Sequence, residues 1–401
     1  MSEENSMDPA PTHPAPTHPA PIHLWVSERL DAGVRRALDR LARADDVRHV
    51  AVMPDVHESG DICVGTAFAT RQLVYPDAVG GDIGCGMAAV ALSTATGEPA
   101  IISGAARARQ QDALRLMQAL RGAVPIARHR HETAEALASS VPAPDGLSHL
   151  ALQKLAADEG AYQLGTLGRG NHFLELQQED DGQLWLMVHS GSRGMGQAIR
   201  AHHLRGAQRT DSGLAHLDCA AEGGRAYLQD MHWARQFAAA SRRAMLLATG
   251  RAVLELFGWQ LLEPTLVDCD HNHVNQEQLL GGTLLVHRKG TVPAGQGVTA
   301  LVPGSMAAAS FHVRGRGVEE ALCSSAHGAG RAMSRTEARS RVTRDRLARE
   351  LRDVFVDPRV LGGLREEAPS AYKDIRDVMK AQRELVSVQR VLRPILTHKG
   401  H

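Results

Sequence analysis

Histidine is the residue whose numbers and neighbours suggest chemistry. The chain has 21 of them, against six Phe, four Trp and four Tyr. Histidine is the commonest metal ligand and titrates near neutrality, so placement decides what each one can do. Several sit in glycine-bordered turns beside other ligand-type residues. Asp55-Val56-His57 closes an apolar run, and Gly80-Gly81-Asp82-Ile83-Gly84-Cys85-Gly86 sets an Asp and a Cys three apart in a turn with four glycines. Glycine lets such a backbone bend until both side chains converge. A carboxylate and a thiolate presented together can hold a divalent cation. Further along come Asn171-His172, His189 at the head of His-Ser-Gly-Ser-Arg-Gly, Asp270-His271-Asn272-His273, and His327 in Ser-Ser-Ala-His-Gly-Ala-Gly-Arg. A single histidine of this kind is more often a satisfied core residue. Four in polar turns, together with Asp-x-x-Cys, read better as a multi-histidine metal site. The small-residue turns at 190–194, 304–305 and 328–330 expose runs of backbone N–H that suit an anion, and Arg193 and Arg331 would reinforce them against phosphate. The common nucleotide loops and the H-E-x-x-H metal motif are absent.

These turns need a scaffold to bring them together. The 401 residues carry 45 Lys plus Arg against 45 Asp plus Glu, which excludes a globally basic polymer binder but leaves room for a local basic groove. A composition 43% hydrophobic and 22% charged is that of a globular chain. There is no 18-residue apolar run to cross a membrane and no apolar leader at the N-terminus. Five scattered cysteines without C-x-x-C favour a reducing compartment, so a cytoplasmic location is expected. Residues 1–22, with Pro-Thr-His-Pro-Ala repeated, read as a disordered tail. Residues 23–401 read as one large α+β domain. Strands are expected at His49–Met53, Met87–Leu92, Leu184–Val188, Thr283–Val286 and Val298–Val302. A helix started by Ser27 should bury Leu30, Val34, Leu38 and Leu41, and longer helices are expected over Tyr227–Phe257 and Tyr372–Leu392. Two arginine-rich stretches stand out. Residues 190–209 carry four Arg and no acid, and residues 331–352, expected to be helical, carry eight Arg against three acids. Either is a candidate RNA track; the second reads equally well as a salt-bridged solvated face.

Taken in order, the segments MPDVH at 53–57, GGDIGCG at 80–86, GTLGRGNHFLE at 165–175, HSGSRG at 189–194 and HN at 271–272 resemble the RtcB family of RNA ligases. So do HRKG at 287–290, PGSM at 303–306, HGAGR at 327–331, AYKD at 371–374 and Lys399-Gly400. The resemblance runs from about residue 49 to the C-terminus. It implies one large domain of mixed sheets flanked by helices around a buried metal and nucleotide pocket. It implies joining of RNA 3′-phosphate or 2′,3′-cyclic phosphate ends to 5′-OH ends, with GTP and two Mn²⁺ ions. His327 would be the nucleophile that takes GMP, and Asp82, Cys85, His172, His189 and His271 would hold the metals, with Cys85 bridging. Softness alone would have favoured zinc for such a set. Asn171, Ser305, Arg193, Gly328, Ala329, Gly330 and Arg331 would meet the phosphates. Glu175 and Lys399 would meet the guanine edge, Tyr372 would stack on the base, and Asp55 would support the metals or the catalysis.

The chain departs from the family's usual pattern in four places. Glu58-Ser59-Gly60-Asp61-Ile62-Cys63-Val64-Gly65 replaces a Pro-Gly and G-x-P-I-G-G stretch, Ala326 stands where Cys is common, Ser241-Arg242 replaces Asn-Arg, and His401 follows the usual final Lys-Gly. A divergent subgroup dedicated to one damaged RNA is the reading these changes suggest. Two alternatives to a full ligase are an end-processing enzyme that opens cyclic phosphates but joins poorly, and a non-catalytic, metal-dependent RNA-binding protein. The presence of the nucleophile and all five ligand positions argues against the second.

Overall fold

The computed structural model describes residues 18–101 and 106–400. Two large sheets form its frame. One has five strands, in the spatial order Ile22–Leu24, His49–His57, Val64–Thr70, Gly282–Lys289 and Asn272–Leu279. The other runs from Gln260–Asp270 through Gly86–Ser93, Leu184–Ser190, Phe173–Glu179, Val386–Lys399 and Ser310–Gly315 to Thr299–Val302, with Phe355–Val356 added beside Val386–Lys399. The strands at 49–57 and 86–93 are buried on both faces, and their near-continuous apolar runs reflect it. One core lies between the sheets, where Met53, Ala67, Met87 and Met187 meet Val286, Leu301 and Leu392. A second lies on the outer face of the larger sheet, under the long helix Glu222–Phe257 and the helix Ala106–Ala123. This is the mixed α+β domain expected from the sequence.

All five expected strands are present, each extended at one end or both except the last, which begins at Thr299. The first helix spans Ala32–Ala42 and buries Val34, Leu38 and Leu41; it starts after Asp31, so Ser27 is not its cap and Leu30 lies outside it. The long helix begins five residues earlier than expected, at Glu222. The helix expected over 372–392 is a correction. Only Ile375–Ala381 is helical, and Val386–Lys399 is a 14-residue strand inside the larger sheet. Val386, Val388 and Val391 are β-branched and suit a pleated surface, and Pro394 sits where the register with Phe173–Glu179 slips. The arginine-rich stretch forms two short helices, Arg335–Arg341 and Arg344–Glu350, because Thr343 caps the second by accepting from the Arg346 N–H. Residues 1–17 of the expected tail lie outside the described residues. Ala20 is buried, and Ile22–Leu24 pairs in parallel with Val50–Val52. Among the described residues no helix is long and apolar enough to cross a membrane.

Candidate active site

Strand register gathers the chemistry at one end of the larger sheet. Gly86 faces Ser190 and Asp270, and Phe173 faces both His189 and Lys399. The turn with Asp82 and Cys85, the loop ending at His172, the strand end at His189 and the crossing between sheets at His271 therefore meet. Backbone bonds lock them together: the His271 N–H donates to Cys85 O (2.8 Å) and the Gly84 N–H to Asn272 O (2.9 Å). A Cβ on Gly191 would lie 2.2 Å from Asp82 Oδ1, so only glycine lets that turn close on the carboxylate.

Two overlapping triads result, Cys85–His189–His271 and Asp82–Cys85–His172, each with its ligand atoms within 4.8 Å of one another. The Cys85 sulfur stands 3.3 Å from His172 Nε2 and 3.2 Å from His189 Nε2, and His172 Nε2 lies 2.9 Å from Asp82 Oδ2. Burial holds the imidazoles of His172, His189 and His271 below the ordinary histidine range, which favours their neutral forms. Burial works against the Asp82 carboxylate, but contact with His172 and the Arg193 guanidinium keeps it ionised, below the usual carboxylate range. Burial and the neighbouring Asp82 push the Cys85 thiol up. His271 Nδ1 is buried with no partner, an orphan that a cation would satisfy. The donor set of one thiol, one carboxylate and three imidazoles fits a metal centre, with Cys85 common to both triads.

His327 follows the short strand Ser324–Ala326, and its ring centroid is 4.6 Å from that of His271. Its Nδ1 is 2.7 Å from Oδ2 of Asp55, a fully buried carboxylate that also accepts from the His327 N–H (3.1 Å). Gly330, at φ +72°, lets this loop approach so closely that a Cβ would lie 2.3 Å from Asp55 O. Lys373 holds the other side of that strand, donating to Pro54 O and Val56 O.

Of the residues singled out from sequence, all but Asp55 line one cavity of about 1120 Å³: His327, the five metal-ligand candidates, Asn171, Glu175, Arg193, Ser305, Gly328, Ala329, Gly330, Arg331, Tyr372 and Lys399. Asp55 lies behind His327. Arg193, at φ +55°, donates to Leu167 O and places Nη2 2.8 Å from His172 Nδ1, so it braces a ligand as well as facing the cleft. On the far side of His172, Lys399 is buried and donates to His172 O, 3.5 Å from Glu367. Glu367 also pairs with Arg331 (3.2 Å) and accepts from the Tyr372 hydroxyl. The Arg331 guanidinium lies over the Tyr372 ring at 5.2 Å. Glu175 accepts from Gln177 (2.7 Å) and Thr397 (3.0 Å), and burial raises its carboxyl to about 7.

Two residues of the cleft were missed. Glu367 is one of two adjacent glutamates at 366–367, and nothing in their spacing separates a buried hub from a solvated charge. Lys289, in the HRKG segment, donates to Ser59 O and Asp77 O, and burial lowers it to about 8. The arginine stretches resolve unequally. Arg200 pairs with Asp77, whereas the short helices after Arg331 carry the local pair Arg346–Glu350 and the longer-range pair Arg339–Glu366.

A family model described as tRNA-splicing ligase RtcB matches residues 38–400. The RNA-splicing ligase RtcB of Escherichia coli (strain K12) is 35% identical over 404 residues, covering 92% of this chain and 95% of that protein. The RNA-splicing ligase RtcB of Mycobacterium tuberculosis (strain H37Rv) is 29% identical over 416 residues, covering 86% and 95%. The tRNA-splicing ligase RtcB of Thermococcus kodakarensis is 33% identical over 306 residues, covering 64% and 62%. With a matched core reaching from the first helix to the last strand, the chain belongs to the RtcB family.

Proposed function

We propose that this protein is an RNA ligase that joins a 3′-phosphate or 2′,3′-cyclic phosphate end to a 5′-OH end, using GTP and a pair of Mn²⁺ ions. The observation that carries the reading is the Asp55–His327 pair beside two triads that share one thiol. Asp55 accepts from Nδ1–H of His327, which fixes the proton there and leaves Nε2 with a free lone pair. A neutral imidazole is a competent nucleophile, and its phosphoramidate is labile enough to pass the nucleotide on. His327 Nε2 attacks the α-phosphorus of GTP, pyrophosphate leaves, and GMP is carried on the ring. A 3′-phosphate oxygen of the RNA then displaces the histidine, which regains its lone pair, and an RNA-ppG end forms. Attack by the 5′-OH of the second strand expels GMP and forms the phosphodiester; a cyclic phosphate is first opened by water.

Asp82, Cys85 and His172 would hold one ion, and Cys85, His189 and His271 the other, which when bound stabilise charge on phosphate oxygens. The small residues Gly328, Ala329 and Gly330 let phosphate approach the backbone, with Arg193 and Arg331 at hand and Asn171 and Ser305 on the cleft wall. Glu175, once ionised, can accept from guanine N1–H and N2–H₂; adenine has no N1 proton to offer. Lys399 and Tyr372 complete the base end. This is a cytoplasmic repair or splicing activity directed at RNA ends.

Incubation with α-labelled GTP and Mn²⁺ tests the reading. The unaltered chain should form a covalent GMP adduct that is acid-labile, and His327→Ala should form none. An adduct that persists in His327→Ala overturns the assignment. A joining assay with 3′-phosphate and 5′-OH strands then separates a ligase from an enzyme that only processes ends.

A further inference from the structure

The metal-ligand candidates sit on four separate segments, yet one turn of one helix reaches all of them. Arg242, in the middle of the long helix Glu222–Phe257, is 2% exposed, among the most deeply buried large side chains of the protein. Its Nη1 donates to Gly84 O (2.8 Å) and to Ser190 O (3.0 Å). Gly84 directly precedes Cys85, and Ser190 directly follows His189. Its Nε and Nη2 both donate to Asp268 Oδ1 (2.9 and 2.7 Å), on the strand that leads to His271. The neighbouring Ser241 is fully buried and accepts from the Gly165 N–H (3.0 Å), at the start of the loop that ends in His172. Two turns earlier, Arg235 pairs with Asp270 and donates to Asn275, on either side of His271. The helix backbone itself abuts the Cys85 turn: a Cβ on Gly84 would lie 2.8 Å from the Arg235 Cα.

We propose that Ser241 and Arg242 are the positioning residues of the metal centre, setting the mutual placement of the segments that carry Asp82, Cys85, His172, His189 and His271. The proposal rests on the reading of that cluster as a metal site. A planar guanidinium suits the task because its fork donates in three directions at once, to two carbonyls and one carboxylate. Of the two carbonyls it holds, Gly84 O belongs to a turn and Ser190 O to the last residue of its strand, so one donor ties the Cys85 turn to the end of the His189 strand. Asp268 balances the buried charge, which spares nearby cations an unopposed positive neighbour. Lysine in its place would keep the charge but offer a point donor instead of a fork. Outer contacts of this kind typically govern metal affinity by about 10- to 100-fold.

The test is titration of the purified, metal-free full chain with Co²⁺, read by its thiolate charge-transfer and d–d absorption, on Arg242→Lys, Ser241→Ala and Ser241→Thr. Circular dichroism of the metal-free proteins checks that each is folded. The expected result is Co²⁺ binding weakened about 10- to 100-fold in Arg242→Lys, with an altered d–d envelope that reports changed ligand geometry. Ser241→Ala should weaken binding less, about threefold to tenfold, and Ser241→Thr, which keeps the hydroxyl, should restore it. A merely structural role would lower the melting temperature and leave affinity and spectrum of the folded protein alone. Should Arg242→Lys fail to fold, the Ser241 pair decides by itself. Wild-type affinity and spectrum in the folded variants overturn the positioning role. Absence of a thiolate–Co²⁺ band in the unaltered chain overturns the metal reading instead, and is distinguished because it appears before any substitution is made.

Discussion

The two ends of the cleft satisfy their polar groups in opposite ways. At the metal end the side chains are neutral imidazoles and a protonated thiol crowded around one carboxylate, with His271 Nδ1 left unpartnered. Order there comes from outside, through carbonyls held by Arg242 and the backbone bonds of the turns. At the Lys399 end the charged groups hold one another. Glu367 meets Lys399, Arg331 and Tyr372, while Glu175 leans on Gln177 and Thr397. At the first end the one nearby guanidinium, Arg193, stands beside Asp82 and His172, and the remaining ligand candidates are neutral groups that a cation would draw together. The second is balanced before any ligand arrives, so a ligand there must exchange contacts instead of filling a vacancy. Losing a side chain should therefore abolish binding at the first end and retune it at the second.

The largest effect is expected from Cys85→Ser. The sulfur belongs to both triads, so its loss removes a ligand from each. Serine is a far poorer anion, and Mn²⁺ affinity measured by calorimetry should fall at least about 100-fold, with GMP-adduct formation lost alongside it. The fold should survive, because the serine hydroxyl can meet the same side-chain neighbours, His172, His189 and Asp82. Retention of two-ion binding in Cys85→Ser would break the contrast between the ends.

Glu367→Gln probes the other end. Glutamine keeps the volume but removes the charge that pairs with Lys399 and Arg331 and accepts from Tyr372. Losing a charged hydrogen-bond partner costs about 1.5–3 kcal/mol, so GTP affinity should drop about 10- to 100-fold while Mn²⁺ affinity stays as it was. Loss of both together would show that the two ends are one coupled network.

These two predictions also mark how far the sequence could be read. Cys85 was legible because Asp-x-x-Cys in a four-glycine turn is a local pattern whose chemistry does not depend on the rest of the fold. His327 and Lys399 were reached through motif order. Glu367 and Arg242 were not, because their roles come from long-range contacts: Arg242 touches Gly84, 158 positions away, and Glu367 touches Lys399 across a tertiary contact. A glutamate or a helical arginine looks the same in sequence whether solvated or buried. The misread element has a similar cause. Residues 386–399 become a strand because the larger sheet offers paired edges on both sides, which local apolar periodicity does not reveal.

A titration sharpens the comparison further. The Glu175 carboxyl is raised by burial to about 7, well above its ordinary 4.5. Because the folded value is raised, its contribution to stability is fully present below pH 4.5 and is lost as pH rises through 7. From the size of the shift that loss is about 3 kcal/mol for this group alone. In the proposed function guanine recognition needs the ionised form, so it moves the other way. GTP affinity should rise about tenfold between pH 6 and pH 8, and Glu175→Gln should bind weakly with no such slope. A slope unchanged in Glu175→Gln would assign the titration to another group. In Glu367→Gln the slope should shift to lower pH, since Lys399 then has Glu175 as its remaining carboxylate neighbour.

The smallest effect concerns a third region, the short helices after Arg331. Arg339 pairs with Glu366 and Arg346 with Glu350, both on exposed faces. Such pairs contribute little to stability, and each arginine already has an acid beside it, so neither is an open invitation to a phosphate. The double variant Arg339→Ala, Arg346→Ala should change single-stranded RNA affinity less than about twofold and melt within a few degrees of the unaltered chain. The measurement that decides is the salt dependence of RNA binding. Every phosphate contact removed would flatten the log–log slope by about 0.7. An unchanged slope keeps RNA recognition at the cleft, where the two contrasting ends lie; a slope flattened by about 1.4 makes this arginine surface a track for the strand.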